Sequence, residues 1–373
     1  MIYFDNAATT LLKPDEVFRA VQGAMRTAAG YRRSGHRPAM HAGELVYACR
    51  EQAAALFGMA EPERVVFTLN ATHALNTAIH ALVEPETTVA VTGYEHNSVM
   101  RPLAALGCKT IVMRVPLFDQ DEAVRAAEQA IESGAKIFVI NHVSNVFGFV
   151  QPLERIDALL RRAGIPMILD ASQSAGILPV EVNKLGSLAA VCCPGHKGLF
   201  GPQGTGILLV LSDRKLDPLL YGGTGSQSEL LTQPELLPDR FESGTLNAHG
   251  ISGLGEGIQW IRGQSTQRIL HHERNLITIL TKGLRSLPGL EVFAGPAQSG
   301  VLSFRSDRLP CEEIAARLSE RGVCVRDGLH CAPEAHRTAG TLETGTVRLS
   351  VSALNTESEC TRFLGFLEDA LRQ

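Results

Sequence analysis

The chain has 373 residues, 45% of them apolar, enough for one sizeable core and a second, smaller unit. Lys and Arg number 35 against 39 Asp and Glu, a formal charge of -4, with no basic tail or stripe suited to nucleic acid or an anionic membrane. No apolar run approaches the roughly 18 residues of a membrane span, and eight cysteines are too few for a disulfide scaffold. In the opening MIYFDNAATT, Asp5 interrupts the apolar residues and no basic segment precedes them, unlike a signal peptide. The expected compartment is therefore the cytoplasm.

Along the first half, helical and strand-like stretches alternate. YACREQAAALFG is rich in Ala, Glu and Gln and stops at Gly58, as a helix would. RVVFTL reads as a strand and NATHALNTAIHALV as a helix starting near Asn70. The order continues with strand TTVAVTG, helix EHNSVMRPLAALG, strand CKTIVMRV and helix DQDEAVRAAEQAIESG. Strand AKIFVINH, helix LERIDALLRRAG and strand IPMILDA complete it. Short apolar strands between helices predict an α/β fold, a parallel sheet covered on both faces.

The rhythm breaks after about residue 210. A segment rich in Gly, Pro, Ser and Thr runs to ESGTLN, too long for an ordinary connector and therefore expected to be functional. One long helix is predicted from Ala248 to Leu284. Beyond Pro288, strand-like GLEVFAG, SGVLSFRS, VCVRDG and GTVRLSVS alternate with helical PCEEIAARLSERG and ESECTRFLGFLEDALR, a compact α+β unit. The expected division is 1–260 for the large domain, whose first residues could pack on the small one, and 261–373 for the small domain.

Ligands of an open α/β sheet gather beyond the C-terminal ends of its strands. Asp170 ends PMILDA, Asn70-Ala71-Thr72 opens a helix, and His196-Lys197 lies in a glycine-rich turn. Taken singly these are an ordinary turn former, an N-cap and a surface lysine. Together they supply an anion site, a carboxylate and a lysine, the set that pyridoxal phosphate requires. His96, also after a strand, is placed to cover the face of a ring. GHKGLFGPQGTG lacks the GKS or GKT ending of a nucleotide-binding loop. Cys49 and Cys108 read as small packing residues, and Cys192-Cys193 as strand neighbours facing opposite sides rather than a redox pair.

The ordered fragments YFDNAATT, FTLNATHALN, EHNS, VSNVFG, LDASQSAG, GHKGLFGPQGTG, ESGTLN, GLHCAPEAH and GTVRLS resemble the class V aminotransferases, and within them the cysteine desulfurases and selenocysteine lyases. The resemblance runs almost end to end. It implies a fold type I pyridoxal phosphate enzyme, a homodimer whose large domain carries a mostly parallel seven-stranded sheet beside a smaller α+β domain. It makes Lys197 the Schiff-base lysine, Asp170 the partner of the pyridine nitrogen and His96 the residue stacked on the ring. Gln173 donates towards the phenolic oxygen, with Asn145 near that oxygen and the substrate. Thr72, with Ala71 before it, and His196 hold the phosphate, and Thr245 reaches the phosphate of the other subunit. Arg348 clamps the substrate carboxylate, as the guanidinium fork allows.

Cys331 matches the persulfide-forming cysteine of the family, so the implied reaction takes L-cysteine to L-alanine and enzyme-bound sulfur. A thiol suits that step because part of it is already thiolate near neutrality. His330 or a nearby charge would favour the thiolate. Where the family commonly has Ser or Thr three residues before the lysine, this chain has Pro194, which offers neither hydroxyl nor N–H. Selenocysteine lyase is the nearest alternative, followed by an aminotransferase or epimerase, and last a noncatalytic homodimer. Cys324, His330, Cys331 and His336 lack the paired spacing of a zinc module, so no metal is expected. A sulfur-acceptor protein or small thiol is the expected partner.

Overall fold

A computed structural model describes residues 1–214 and 216–372. In chain order the elements are β1 (Ile2–Tyr3), α1 (Asp15–Thr27), α2 (Arg37–Phe57), β2 (Val65–Thr68), α3 (Ala71–Leu82), β3 (Thr88–Thr92) and α4 (Asn97–Ala105). There follow β4 (Lys109–Met113), α5 (Gln120–Glu132), β5 (Ile137–Asn141), α6 (Leu153–Ala163), β6 (Met167–Asp170), β7 (Leu188–Pro194) and β8 (Gly206–Val210). The C-terminal part holds α7 (Ala248–Gln264), α8 (Thr266–Arg285), β9 (Leu290–Phe293), β10 (Val301–Ser306) and α9 (Cys311–Glu320). It ends with β11 (Val323–Cys324), α10 (Pro333–Ala339), β12 (Val347–Ser350) and α11 (Glu357–Arg372).

Seven strands form the large sheet in the order β2-β8-β7-β6-β5-β3-β4. Its central pairs are parallel, and β8 alone runs antiparallel to both of its neighbours. Helices cover both faces, so the strands are apolar throughout: every residue of β2, β5, β6, β7 and β8 is buried. Cys192 and Cys193 follow the two-residue strand period, one packing in the apolar cluster on each side of the sheet. The short strand β8 had no counterpart among the predicted strands.

The C-terminal elements build a second sheet, the antiparallel ladder β12-β10-β9. Their apolar residues form a separate cluster, which Ile2 and Phe4 join from the N-terminus. β11 pairs with β1 in parallel rather than entering the three-stranded ladder. The single helix predicted over 248–284 is two helices. Ser265 adopts a φ of 67°, which ends α7, while its hydroxyl accepts from the Arg268 N–H and caps α8. Ile261 and Ile269 lie in the large-sheet core, whereas Leu276 and Ile277 lie in the small one. The apolar face of this helix pair thus changes core part-way along α8.

Candidate active site

Three adjacent large-sheet elements bring their C-terminal ends to one cleft. β6 ends on Asp170, β5 leads to Asn145, and the turn after β7 carries His196 and Lys197. The cleft encloses about 220 Å³ and is lined by Ala71, Thr72, His96, Asn145, Asp170, Gln173, Pro194, His196, Lys197, Arg326, His330 and Arg348. The predicted residues of the large sheet and Arg348 of the small one therefore meet. Two predicted residues stand apart from the lining. Cys331 is exposed beside it, and Thr245 is exposed in the long segment before α7.

Backbone packing sets the lysine turn close to the Asp170 turn. A Cβ on Gly176, whose φ is 83°, would lie 2.3 Å from the Gly198 carbonyl oxygen, so only glycine permits this approach. The carbonyls of His196 and Lys197 accept from the Thr10 hydroxyl at 3.2 and 3.3 Å, tying the turn to the N-terminal segment. Burial of the Lys197 amine brings its pKa down to about 8, against the opposing pull of Asp170. Burial also raises the Asp170 carboxyl above its ordinary value, opposed by hydrogen bonds from Ser172 and by the Lys197 charge. The Ser172 N–H donates to Asp170 Oδ1 at 2.9 Å.

His96 caps α4, its Nδ1 accepting from the Ser98 N–H at 3.0 Å. Burial and then the Lys197 charge lower its pKa to about 4, so the ring is neutral near pH 7. Thr72 Oγ1 shares a 2.8 Å hydrogen bond with Ser98 Oγ, which links the first turn of α3 to the histidine. Gln173 Nε2 donates to the Ala7 carbonyl at 3.0 Å. Pro194 closes β7 opposite Gly206, and no side-chain donor stands at that position.

Arg348, on β12 and 1% exposed, is held by the Asp5 carboxylate at 2.6 Å and donates to the Asn145 carbonyl at 3.0 Å. Its Nε has no partner in the described structure, and neither have Asn145 Oδ1 and His196 Nδ1, all three buried. Unpartnered polar atoms on lining residues are the mark of a site built for a polar ligand. With the Lys197–Asp170 couple and the first turn of α3, they fit the cofactor expected from the sequence.

The cysteine segment has unusual backbone. Gly328, His330 and Cys331 all have positive φ, at 88°, 53° and 56°. Two consecutive non-glycine residues in the left-handed region are strained. They are held by Asn145 Nδ2 donating to the His330 carbonyl at 2.9 Å and by the Asn97 N–H donating to the Cys331 carbonyl at 2.8 Å. His330 does not supply the expected charge: burial pushes its pKa well down, and its ring stacks on His336 at 5.7 Å. A positive charge does stand beside the thiol: Arg326 Nη2 lies 3.5 Å from Cys331 Sγ. Sequence reasoning passed over Arg326 although it stands five residues before Cys331, because only the folded turn brings the two back together.

The family model for class V aminotransferases matches residues 2–363. A probable cysteine desulfurase of Pyrococcus abyssi is 33% identical, with 100% of this chain and 94% of that protein covered. A probable cysteine desulfurase of Methanothermobacter thermautotrophicus is 32% identical over 96% of this chain and 92% of the relative. Among solved structures, the apo cysteine desulfurase of Thermococcus onnurineus NA1 superposes with a TM-score of 0.90 at 30% identity, covering 100% of this chain and 94% of that one. The cysteine desulfurase CsdA of Escherichia coli, in an S-sulfonic acid form, gives 0.88 at 27% identity over 99% of this chain and 94% of its own. With the matched family model and these full-length likenesses, the chain belongs to the class V aminotransferases, a family of pyridoxal-phosphate enzymes.

Proposed function

We propose that the protein is a cysteine desulfurase, converting L-cysteine to L-alanine and leaving the sulfur as a persulfide on Cys331. The observation that carries the reading is the meeting of Lys197, Asp170 and His96 in one cleft with Cys331 exposed beside it, in a chain whose full-length relatives bear that name. Pyridoxal phosphate, when bound there, supplies the electron sink for charge left on the substrate's Cα. Asp170 would pair with its ring nitrogen, the neutral His96 would cover its face, and Gln173 and Asn145 would meet its phenolic oxygen. The N–H groups of Ala71 and Thr72, the Thr72 hydroxyl and His196 would hold its phosphate.

Lys197 performs the proton work. An amine with a pKa near 8 is partly neutral at physiological pH and so takes the Cα proton. Arg348 receives the α-carboxylate, and Asp5 keeps the guanidinium oriented meanwhile. The Cys331 thiolate then attacks the substrate sulfur: an S–S bond forms, the Cβ–S bond breaks with its electron pair left on carbon, Cβ gains a proton, and Lys197 returns the proton to Cα to give L-alanine. No external oxidant or reductant is needed.

A homodimer belongs to this reading. Thr72, Leu69, Tyr221, Leu231 and Leu236 are exposed in the single chain, and a second copy would cover them and bring Thr245 towards the partner subunit's phosphate site. The division into a large and a small domain is also part of it, supported by the separate apolar clusters. Ile269 packs in the first of these clusters and Leu276 in the second, so α8 borders both. Among the described residues no helix is long and apolar enough to cross a membrane. We place the protein in the cytoplasm, handing sulfur from the exposed Cys331 to an acceptor protein or small thiol.

The deciding experiment incubates holoenzyme with L-cysteine, L-selenocysteine and amino-acceptor pairs, measuring alanine and protein-bound sulfur by mass spectrometry. Alanine with sulfur trapped on Cys331 is the expected result. Turnover of L-selenocysteine alone would establish the lyase instead, and amino transfer without alanine from L-cysteine would return the chain to aminotransferase chemistry.

A further inference from the structure

Arg326 and Arg348 face each other across a backbone bridge: each N–H donates to the other's carbonyl, at 3.3 and 2.7 Å. Directly opposed residues of an antiparallel pair project from the same side, so both guanidiniums enter one cleft. Their partners differ. Arg348 is occupied by Asp5 and the Asn145 carbonyl, whereas Arg326 makes no ion pair with a carboxylate among the described residues. The one side-chain hydrogen bond Arg326 makes there is to Cys331 Sγ, at 3.5 Å.

The loop between them is built to keep this arrangement. Gly328 reverses the chain with a φ of 88°, and the left-handed His330 and Cys331 turn the thiol back towards residue 326. His330 is fixed by its Nε2 contact to the Arg326 carbonyl at 3.3 Å and by Asn145. The same positive charge bears on His96 and Lys197, each pushed down partly by Arg326. Half-buried at the mouth of a cleft that already holds Arg348 and Lys197, the Arg326 guanidinium is free to meet an anion formed there.

We propose that this anion is the sulfur of Cys331 and that Arg326 is a catalytic residue, holding first the thiolate and then the persulfide. The inference rests on the desulfurase reading above and adds the residue that stabilises its nucleophile. In the transfer, the Cys331 thiolate bonds to the substrate sulfur, the Cβ–S pair stays on carbon, and the proton lost by the substrate thiol is matched by one gained at Cβ. Negative charge moves from Sγ to the terminal sulfur, within reach of a flexible, forked guanidinium throughout.

The test uses holoenzyme of the parent, Arg326→Met and Arg326→Lys, with the cofactor's visible absorbance confirming that each is loaded. Persulfide on Cys331 is counted by mass spectrometry in single turnovers at saturating L-cysteine, and the resting thiol is alkylated with iodoacetamide at fixed pH. Arg326→Met is expected to slow both persulfide formation and alkylation about tenfold or more, with Arg326→Lys recovering part of each. Unchanged rates at saturation would overturn the inference. So would a raised KM with normal persulfide formation, because Arg326 would then be a carboxylate clamp. If the parent itself forms no persulfide from L-cysteine, the desulfurase reading fails, a result distinct from either. Should Arg326→Met not fold, Arg326→Lys alone decides through the alkylation rate, since a lysine ammonium cannot match the fork.

Discussion

The two sides of the cleft are built in opposite ways. On the large-sheet side, Asp170 and Lys197 sit where parallel strands end, their backbones fixed by β6, β7 and the close Gly176–Gly198 approach. On the C-terminal side, Cys331 is exposed on strained backbone, held by hydrogen bonds from Asn97 and Asn145. The first arrangement suits proton transfer, which demands fixed geometry and a desolvated amine. The second suits a nucleophile that must reach substrate and afterwards surrender its sulfur to something outside. A cysteine buried like Cys192, whose thiol burial pushes far up, could do neither.

The sharpest way to break this comparison is at Lys197. Lys197→Ala should reduce alanine formation about a thousandfold or more, since a positioned acid–base group contributes on that scale. Borohydride reduction of the parent should leave the pyridoxyl group on the Lys197 peptide, and an adduct on another lysine would move the site. Cys331→Ala should divide the two functions instead. The loaded variant keeps its visible absorbance and still responds spectrally to L-cysteine, while trapped persulfide disappears and alanine falls to background. Alanine at the parent rate with the same trapped sulfur would show that another cysteine accepts it.

A smaller effect is expected where the two sides meet the substrate together. Arg348→Lys keeps a charge opposite Asp5 but loses the second prong, so kcat/KM for L-cysteine should fall about tenfold or more. Borohydride labelling of Lys197 should be unchanged. An unaltered kcat/KM would mean that the carboxylate binds elsewhere. Pro194→Ser would restore a hydroxyl on the large-sheet side alone. Cofactor loss on dialysis should slow about two- to tenfold, the worth of one hydrogen bond. No change would show that the other groups already satisfy the phosphate.

The contrast also explains what the sequence revealed. The β–α alternation, the strand-end Asp170 and the Asn70 cap before α3 are local patterns, and local patterns survive in a one-dimensional reading. Ser265 was invisible because helical periodicity carries through it; only its left-handed φ separates α7 from α8. Arg326 escaped for a different reason. Its partnership with Cys331 depends on the Gly328 reversal, and an arginine before a glycine turn reads equally well as solvated surface. The expected aid from His330 failed because burial, a tertiary property, keeps that ring neutral.

Between the two sides runs α8, whose residues reach both apolar clusters, and it supports the last prediction. Glu273 on α8 is 1% exposed and borders a small cavity of about 20 Å³ shared with Lys197, Gln173, Ser299 and Ser350. Its Oε2 and the Ser299 hydroxyl have no partners in the described structure. Such a cavity has space for about one water, which would need these polar partners. Burial raises the Glu273 pKa from 4.5 to about 8, so the folded protein keeps this carboxyl protonated where the unfolded chain has ionised it. Below pH 4.5 both states are protonated and the group costs nothing. Between pH 4.5 and 8 the folded state binds more protons, so stability falls as pH rises, by on the order of 1 kcal/mol or more across the window. Glu273→Gln removes that titration. Melting curves from pH 5 to 8.5 should show the parent losing stability relative to the variant, whatever constant offset the amide introduces. Parallel curves would mean that Glu273 is already ionised at pH 5. α8 would then hold a buried charge beside the cavity that Glu273 shares with Lys197.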